Sequence, residues 1–157
     1  MFSREFIATL KLWAFSAIKI PIVFFCRPRF VVLENHKTVI KINLGRRTKN
    51  HVNSMYVGAM VVGAELAALF PIVDKASRLG RTIPPVVKDL KAEYFMRAMG
   101  DTHFSCEANI DELINEAIKT GERVNKKVTI NATCPDLSDD IVAKFELTIS
   151  VKDKTKK

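Results

Sequence analysis

Apolar and polar residues alternate near the N-terminal third of the chain. Ile40, Ile42 and Leu44 share one face, and Val39, Lys41 and Asn43 share the other. A period of two with β-branched residues predicts strands. Glu34-Asn35-His36-Lys37 reads as a tight turn, so residues 30–33 and 38–44 form a hairpin. A basic polar loop, GRRTKNHVNSM, follows. Over residues 55–73 the period changes and Glu65 is the one charged side chain. The run is too long for a strand and rich in Ala, Leu and Met, which predicts a buried helix. Asn53 or Ser54 is placed to cap it, and Pro71 to kink or end it, with a last turn running on to Gly80. Gly58, Ala59, Gly63, Ala64, Ala67 and Ala68 make its surface small, so other elements can approach its backbone closely.

Period two then returns. Leu90, Ala92, Tyr94 and Met96 face one way, and Thr102, Phe104, Cys106, Ala108 and Ile110 repeat the pattern after a turn at Gly100-Asp101. Asp111 is read as the cap of a short helix whose inner face is Leu113, Ile114, Ala117 and Ile118, with Gly121 as its stop. Two strands close the chain. Val124, Val128, Ile130, Ala132 and Cys134 mark the first, with Lys126 interrupting its apolar face. Ile141, Ala143, Phe145, Leu147 and Ile149 mark the second. The order predicts an α+β domain: a mostly antiparallel sheet with a helix on it, curled around a helix that is hydrophobic all round.

The 157 residues suit one domain. A net charge of +8 favours anionic partners, although part of the excess sits in the tail SVKDKTKK. Cys26, Cys106 and Cys134 are odd in number and far apart, which argues against disulfides or zinc and for a reducing cytoplasm. LWAFSAIKIPIVFFC near the N-terminus is strongly apolar but interrupted by Lys19 and Pro21. CRPRF lacks the small residues of a cleavage site. A short helix and turn packed on the domain is the first reading. Peripheral membrane contact, helped by Arg4, Lys11, Lys19, Arg27 and Arg29, is the second. The expected division is a helical segment over residues 1–28, a domain over 29–151 and a flexible basic tail over 152–157.

The candidate chemistry lies in NHVNSMYVGAMVVGAELAAL. A carboxylate at Glu65 among Val61, Val62, Ala68 and Leu69 is desolvated and resists ionising, which suits a general base or nucleophile. The alternative is that Glu65 pairs with an arginine or an amide and only holds the fold. The free N–H groups near Val57 and Gly58 at the helix start are placed to hold a developing oxyanion. Arg46, Arg47, Lys49 and His51 make a loop able to meet phosphate, or one that is merely solvated. Few aromatics accompany it, which disfavours nucleic acid. His36, His51 and His103 show no metal spacing.

The string NHVNSMYVGA, with Glu65 beyond it and AEYFMRAMGD later, resembles the hotdog-fold acyl-CoA thioesterase superfamily, in the branch often described only as a domain of unknown function. Asn50, His51, Val52, Gly58 and Ala59 match that branch's motif. Asn53 stands where it has Gly, and Tyr56 where it has His. The resemblance implies a curled six-stranded sheet around a long central helix, and hydrolysis of acyl-CoA or acyl carrier protein thioesters. It implies Glu65, Asn50 and Tyr56 as catalytic residues. Val57, Gly58, His51, Arg46, Arg47 and Arg81, with Arg78, would meet the substrate. It implies a homodimer or dimer of dimers, and no cofactor beyond the coenzyme A of the substrate. The alternative is a non-catalytic acyl- or lipid-binding hotdog module.

Overall fold

Alternating β-branched residues build six strands, and the helical stretches build four helices. The computed structural model describes residues 2–155. In chain order the elements are α1 (Arg4–Lys19), α2 (Pro21–Cys26), β1 (Arg29–Leu33), β2 (Lys37–Ile42), α3 (Val57–Arg78), β3 (Val86–Tyr94), β4 (Thr102–Glu107), α4 (Ile110–Thr120), β5 (Val124–Cys134) and β6 (Ser138–Val151). The strands form one curled sheet in the order β1-β2-β4-β5-β6-β3, antiparallel throughout. α3 lies against β2, β4, β5 and β6. Ile40, Ile42, Phe104, Ile130, Phe145 and Leu147 are fully buried between them. The small residues of α3 let the sheet come close: a Cβ on Gly63 would run into the Phe104 ring. α3 has the length and hydropathy of a membrane span, but half of that stretch is buried inside the domain.

Several boundaries differ from the sequence reading, each for a local reason. β2 stops at Ile42 rather than Leu44, because side chains claim the next backbone groups: Leu44 N–H donates to Asp101 Oδ1 at 2.9 Å and Thr48 Oγ1 donates to Asn43 O at 2.6 Å. α3 begins at Val57 with Tyr56 at the cap position, and neither Asn53 nor Ser54 caps it. Met55 is extended instead, bridged to Lys49, with its N–H on Ala98 O. Pro71 is buried inside α3 without ending it. α4 is capped by Asn109 rather than Asp111, and Gly121 takes the left-handed conformation (φ 67°) that stops the helix. Lys126, which interrupts an apolar face, reaches Asn109 O at 2.9 Å and so ties β5 to that cap. Gly100-Asp101 does not join neighbouring strands, because β3 and β4 lie far apart in the sheet and the connection crosses its end.

The N-terminal segment is two helices rather than one helix and a turn. They are fixed to the body: Phe30 N–H donates to Thr9 Oγ1, Trp13 Nε1 donates to Pro28 O, and Arg4 pairs with Asp74. Residues 152–155 are also held, through Lys154 N–H on Thr82 O and the Arg81–Asp153 ion pair. Lys156 and Lys157 lie outside the described residues.

Asp101 of the GD motif fastens the loop that leads to α3. Its carboxylate accepts from Leu44 N–H and Asn43 Nδ2 and pairs with Lys41 at 2.9 Å. Burial pushes its pKa up, but the Lys41 and Leu44 bonds outweigh this and hold it below the usual range. A depressed carboxyl stabilises the fold above its unfolded pKa, and that contribution is lost as pH falls through the folded value. Asp101→Ala is therefore expected to cost about 2 kcal/mol at neutral pH. The gap to wild type should close below pH ~4. Urea unfolding at the two pH values measures it, and a gap independent of pH would refute the role.

Candidate functional site

The approach to α3 is a loop that closes on itself. Asn50 Oδ1 accepts from Val52 and Ser54 N–H at 3.0 and 3.1 Å, and its Nδ2 donates to Ser54 Oγ at 2.9 Å. Asn50 therefore spends most of its hydrogen-bonding capacity on the loop. Asn53 has φ 60°. This is the left-handed region that glycine fills most easily and asparagine next, which accounts for the motif's usual Gly at this position. Tyr56 N–H then donates to Thr48 O at 2.7 Å, and the helix starts.

No side chain caps that start. Tyr56 O accepts from Met60 N–H, and the amides of Val57 and Gly58 have no partner among the described residues. Val57 is exposed and Gly58 half-buried. The exposed Tyr56 ring folds toward Gly58, where an added Cβ would stand 2.6 Å from ring Cε1. Free amides at a helix N-terminus favour negative charge.

Glu65 lies further along the same side. Gly58, Val61, Glu65, Leu69 and Val73 recur at spacings of three and four, so they share one flank of α3. That flank is half-buried or exposed, whereas Ala59, Gly63, Ala64, Ala67 and Ala68 are buried. Glu65 has no hydrogen-bond or ionic partner among the described residues, and desolvation raises its carboxyl above the usual range. The sequence reading had the sheet enclosing α3, but in one chain this flank stays open. Val57, Val61, Leu69 and Val73, four residues apart or a multiple of four, carry the signal for it.

The flank continues across to the sheet edge. Leu90, Ala92 and Tyr94 of β3 are paired with Leu147, Phe145 and Ala143 and so share the concave face. Yet Leu90 and Tyr94 are exposed, because β3 is an edge strand beyond the reach of α3.

The basic candidates separate into two groups. Arg46, Arg47 and His51 are exposed on the loop before α3, and the Arg47 guanidinium lies over the Phe25 ring at 5.5 Å. Arg81 pairs with Asp153, and Arg78 with Asp74, just beyond or at the far end of α3. A helix of 22 residues spans roughly 33 Å, so Arg78 and Arg81 do not share a site with Gly58 in one chain. Among the described residues no three His, Cys, Asp or Glu side chains gather as metal ligands. The three cysteines are buried free thiols, and burial pushes Cys106 up to about 11.

An antiparallel sheet curled on a long central helix is the hotdog fold, and here that helix has an uncapped start and one unpartnered carboxylate, Glu65. The chain belongs to the family described as Domain of unknown function (DUF4442), whose profile matches residues 10–151. Solved structures share the fold at low identity. A Shewanella oneidensis protein named provisionally as a thioesterase is 14% identical, with 92% of this chain and 97% of that one covered and a TM-score of 0.75. A Chlorobaculum tepidum protein of unknown function is 13% identical, with 94% and 96% covered and a TM-score of 0.79. A Haemophilus influenzae thioesterase is 13% identical, with 99% and 94% covered and a TM-score of 0.69. No curated protein matches the sequence.

Proposed function

We propose that the protein hydrolyses acyl thioesters of coenzyme A or acyl carrier protein, with Glu65 as the reacting carboxylate. The observation that carries this reading is an unpartnered, desolvated carboxylate on the same open flank of α3 as the free helix-start amides. Thioesterase names among the structural neighbours agree with it.

One chain does not complete the site. Val57 and Glu65 are eight residues apart, about 12 Å along the helix, too far for one carbonyl group to engage both. Pairing two copies along the free edge of β3 would cover Leu90, Tyr94 and the flank of α3, and would let Glu65 of one copy face the amides of the other. Glu65 then takes a proton from water as the water oxygen attacks the thioester carbon, and passes that proton to the departing sulfur. Alternatively, it attacks the carbon itself to give an acyl–glutamyl anhydride, which water hydrolyses to the free acid and the restored carboxylate while solvent supplies the thiolate's proton. The Val57 and Gly58 amides hold the oxyanion. The C–S bond breaks and the thiol leaves with a proton. Tyr56 orients the thioester, and Asn50 acts through the loop it holds. Arg46, Arg47 and His51 meet the carrier phosphates. Arg81 reaches them only if the second copy brings it close. The buried free thiols suit a reducing cytoplasm.

The homodimer is tested by Leu90→Lys with Tyr94→Lys on the exposed edge. Light scattering should show wild type as a dimer at micromolar concentration and the variant as a folded monomer, and acyl-CoA turnover should fall with dissociation. A monomeric wild type, or a monomeric variant with full turnover, would remove the composite site.

A further inference from the structure

We infer that α1 and α2 form a docking face for a bilayer rich in acidic lipids. The inward side of α1 consists of Ala8, Thr9, Leu12 and Ser16. Its outward side carries Ile7, Leu10 and Ile18, with Phe6 and Phe15 at its margins, and the exposed run continues through Ile22 and Phe25 of α2. A helix resting on a soluble body turns its most apolar side inward. Here the larger apolar side chains point out: Ile18 is 79% exposed and Ile22 61%.

The arrangement is held in place. The bonds at Thr9, Trp13 and Arg4 that fasten α1 leave the outward face unused. A patch of this kind on a fixed element marks an interaction surface. Its rim selects the occupant. Residues 2–29 contain Arg4, Lys11, Lys19, Arg27 and Arg29 against Glu5 alone. Asp74 pairs with Arg4, which leaves Lys11, Lys19, Arg27 and Arg29 as the basic border, and Arg47 joins α2 through Phe25. A second copy would bring the same positive charge against itself, whereas acidic headgroups complement it. An apolar stripe with aromatic residues and a basic border is the pattern of a helix lying in the membrane interface. Beside it, a cleft of about 330 Å³ is lined by Phe2, Ile7 and Phe70, with Lys11 and the Arg4–Asp74 ion pair as its polar groups.

The test is co-sedimentation of the full chain with vesicles of phosphatidylcholine, alone or mixed with about one-third phosphatidylglycerol. Binding to the mixed vesicles should be on the order of tenfold stronger and should weaken with salt. Leu10→Asp with Ile18→Asp, both at outward positions, should abolish pelleting without lowering the melting temperature. Lys11→Glu with Lys19→Glu should remove the preference for the acidic vesicles. The inference is overturned if wild type stays in the supernatant with the mixed vesicles. It is also overturned if the Leu10/Ile18 variant pellets equally, or if that variant instead breaks a lipid-free oligomer. Thioesterase turnover does not enter any of these outcomes.

Discussion

Glu65→Gln is expected to lower acyl-CoA turnover by about 10²–10⁴-fold while leaving the protein folded. The amide keeps the shape of the carboxylate and removes its ability to take a proton or attack carbon. Stability should move the other way. Burial raises the Glu65 carboxyl, so the folded state favours the protonated form, and stability is lost as pH rises through the folded pKa. Gln has no such loss. The variant should therefore melt no lower than wild type at neutral pH, and the two should converge in acid. The acid limb of the wild-type kcat/KM profile should lie above the ordinary carboxylate range for the same reason. Assay of an acyl-CoA panel with both proteins decides the matter. Equal turnover would exclude Glu65 from the mechanism. No turnover by either, with a fatty acyl chain retained, would favour the binding-module reading that Tyr56 in place of histidine also invites.

The second large effect concerns Gly63. An alanine there gains ~1 kcal/mol of helix propensity, yet the added carbon meets the ring of Phe104, which is fully buried between α3 and β4. Neither the ring nor the helix has free space to retreat into. Gly63→Ala is expected to destabilise the protein by about 2–3 kcal/mol in urea unfolding. Phe104→Leu added to Gly63→Ala should recover part of this, since the two substitutions share one contact. Gly58→Ala is the contrast. Its neighbour is the exposed Tyr56 ring, which can swing aside, so the stability cost should stay within about 0.5 kcal/mol. If Gly63→Ala proves as mild as Gly58→Ala, the close packing of α3 on the sheet is wrong.

What was legible in the sequence was whatever local periodicity encodes. The alternation at Val39 to Ile42, the unbroken apolar run around Glu65 and the glycine stop at Gly121 each depend on neighbours within a turn or two, and each reappears in the structure. The expected helix start and strand end were wrong because other partners compete, some within the loop and some from distant chain. Ser54 belongs to Asn50, Met55 is drawn to Ala98, and Leu44 is drawn to Asp101. The place of β3 was hidden for a similar reason. Nothing in residues 86–94 says that their partner is β6, some sixty residues on, rather than β4. At the candidate site the residue types around Glu65, Val57 and Gly58 could be read directly. Their two-turn separation and the open flank beside them required the fold. Arg78 and Arg81 illustrate the limit. Their charge suits a phosphate, but the backbone carries them to the opposite end of α3 and gives each a carboxylate.

β6 has one further consequence. It is the last strand in the chain, yet it sits between β5 and β3 and hydrogen-bonds to both. Until Ser138–Val151 has been made, β3 has no neighbour and the concave face is short of Phe145, Leu147 and Ile149. The emerging polypeptide thus carries an orphaned strand and a central helix that β2, β4 and β5 cover only in part. Closing contacts across so many residues is slow compared with local helix formation. For that interval the unpaired edge and the uncovered apolar surface are where misassembly is expected to begin.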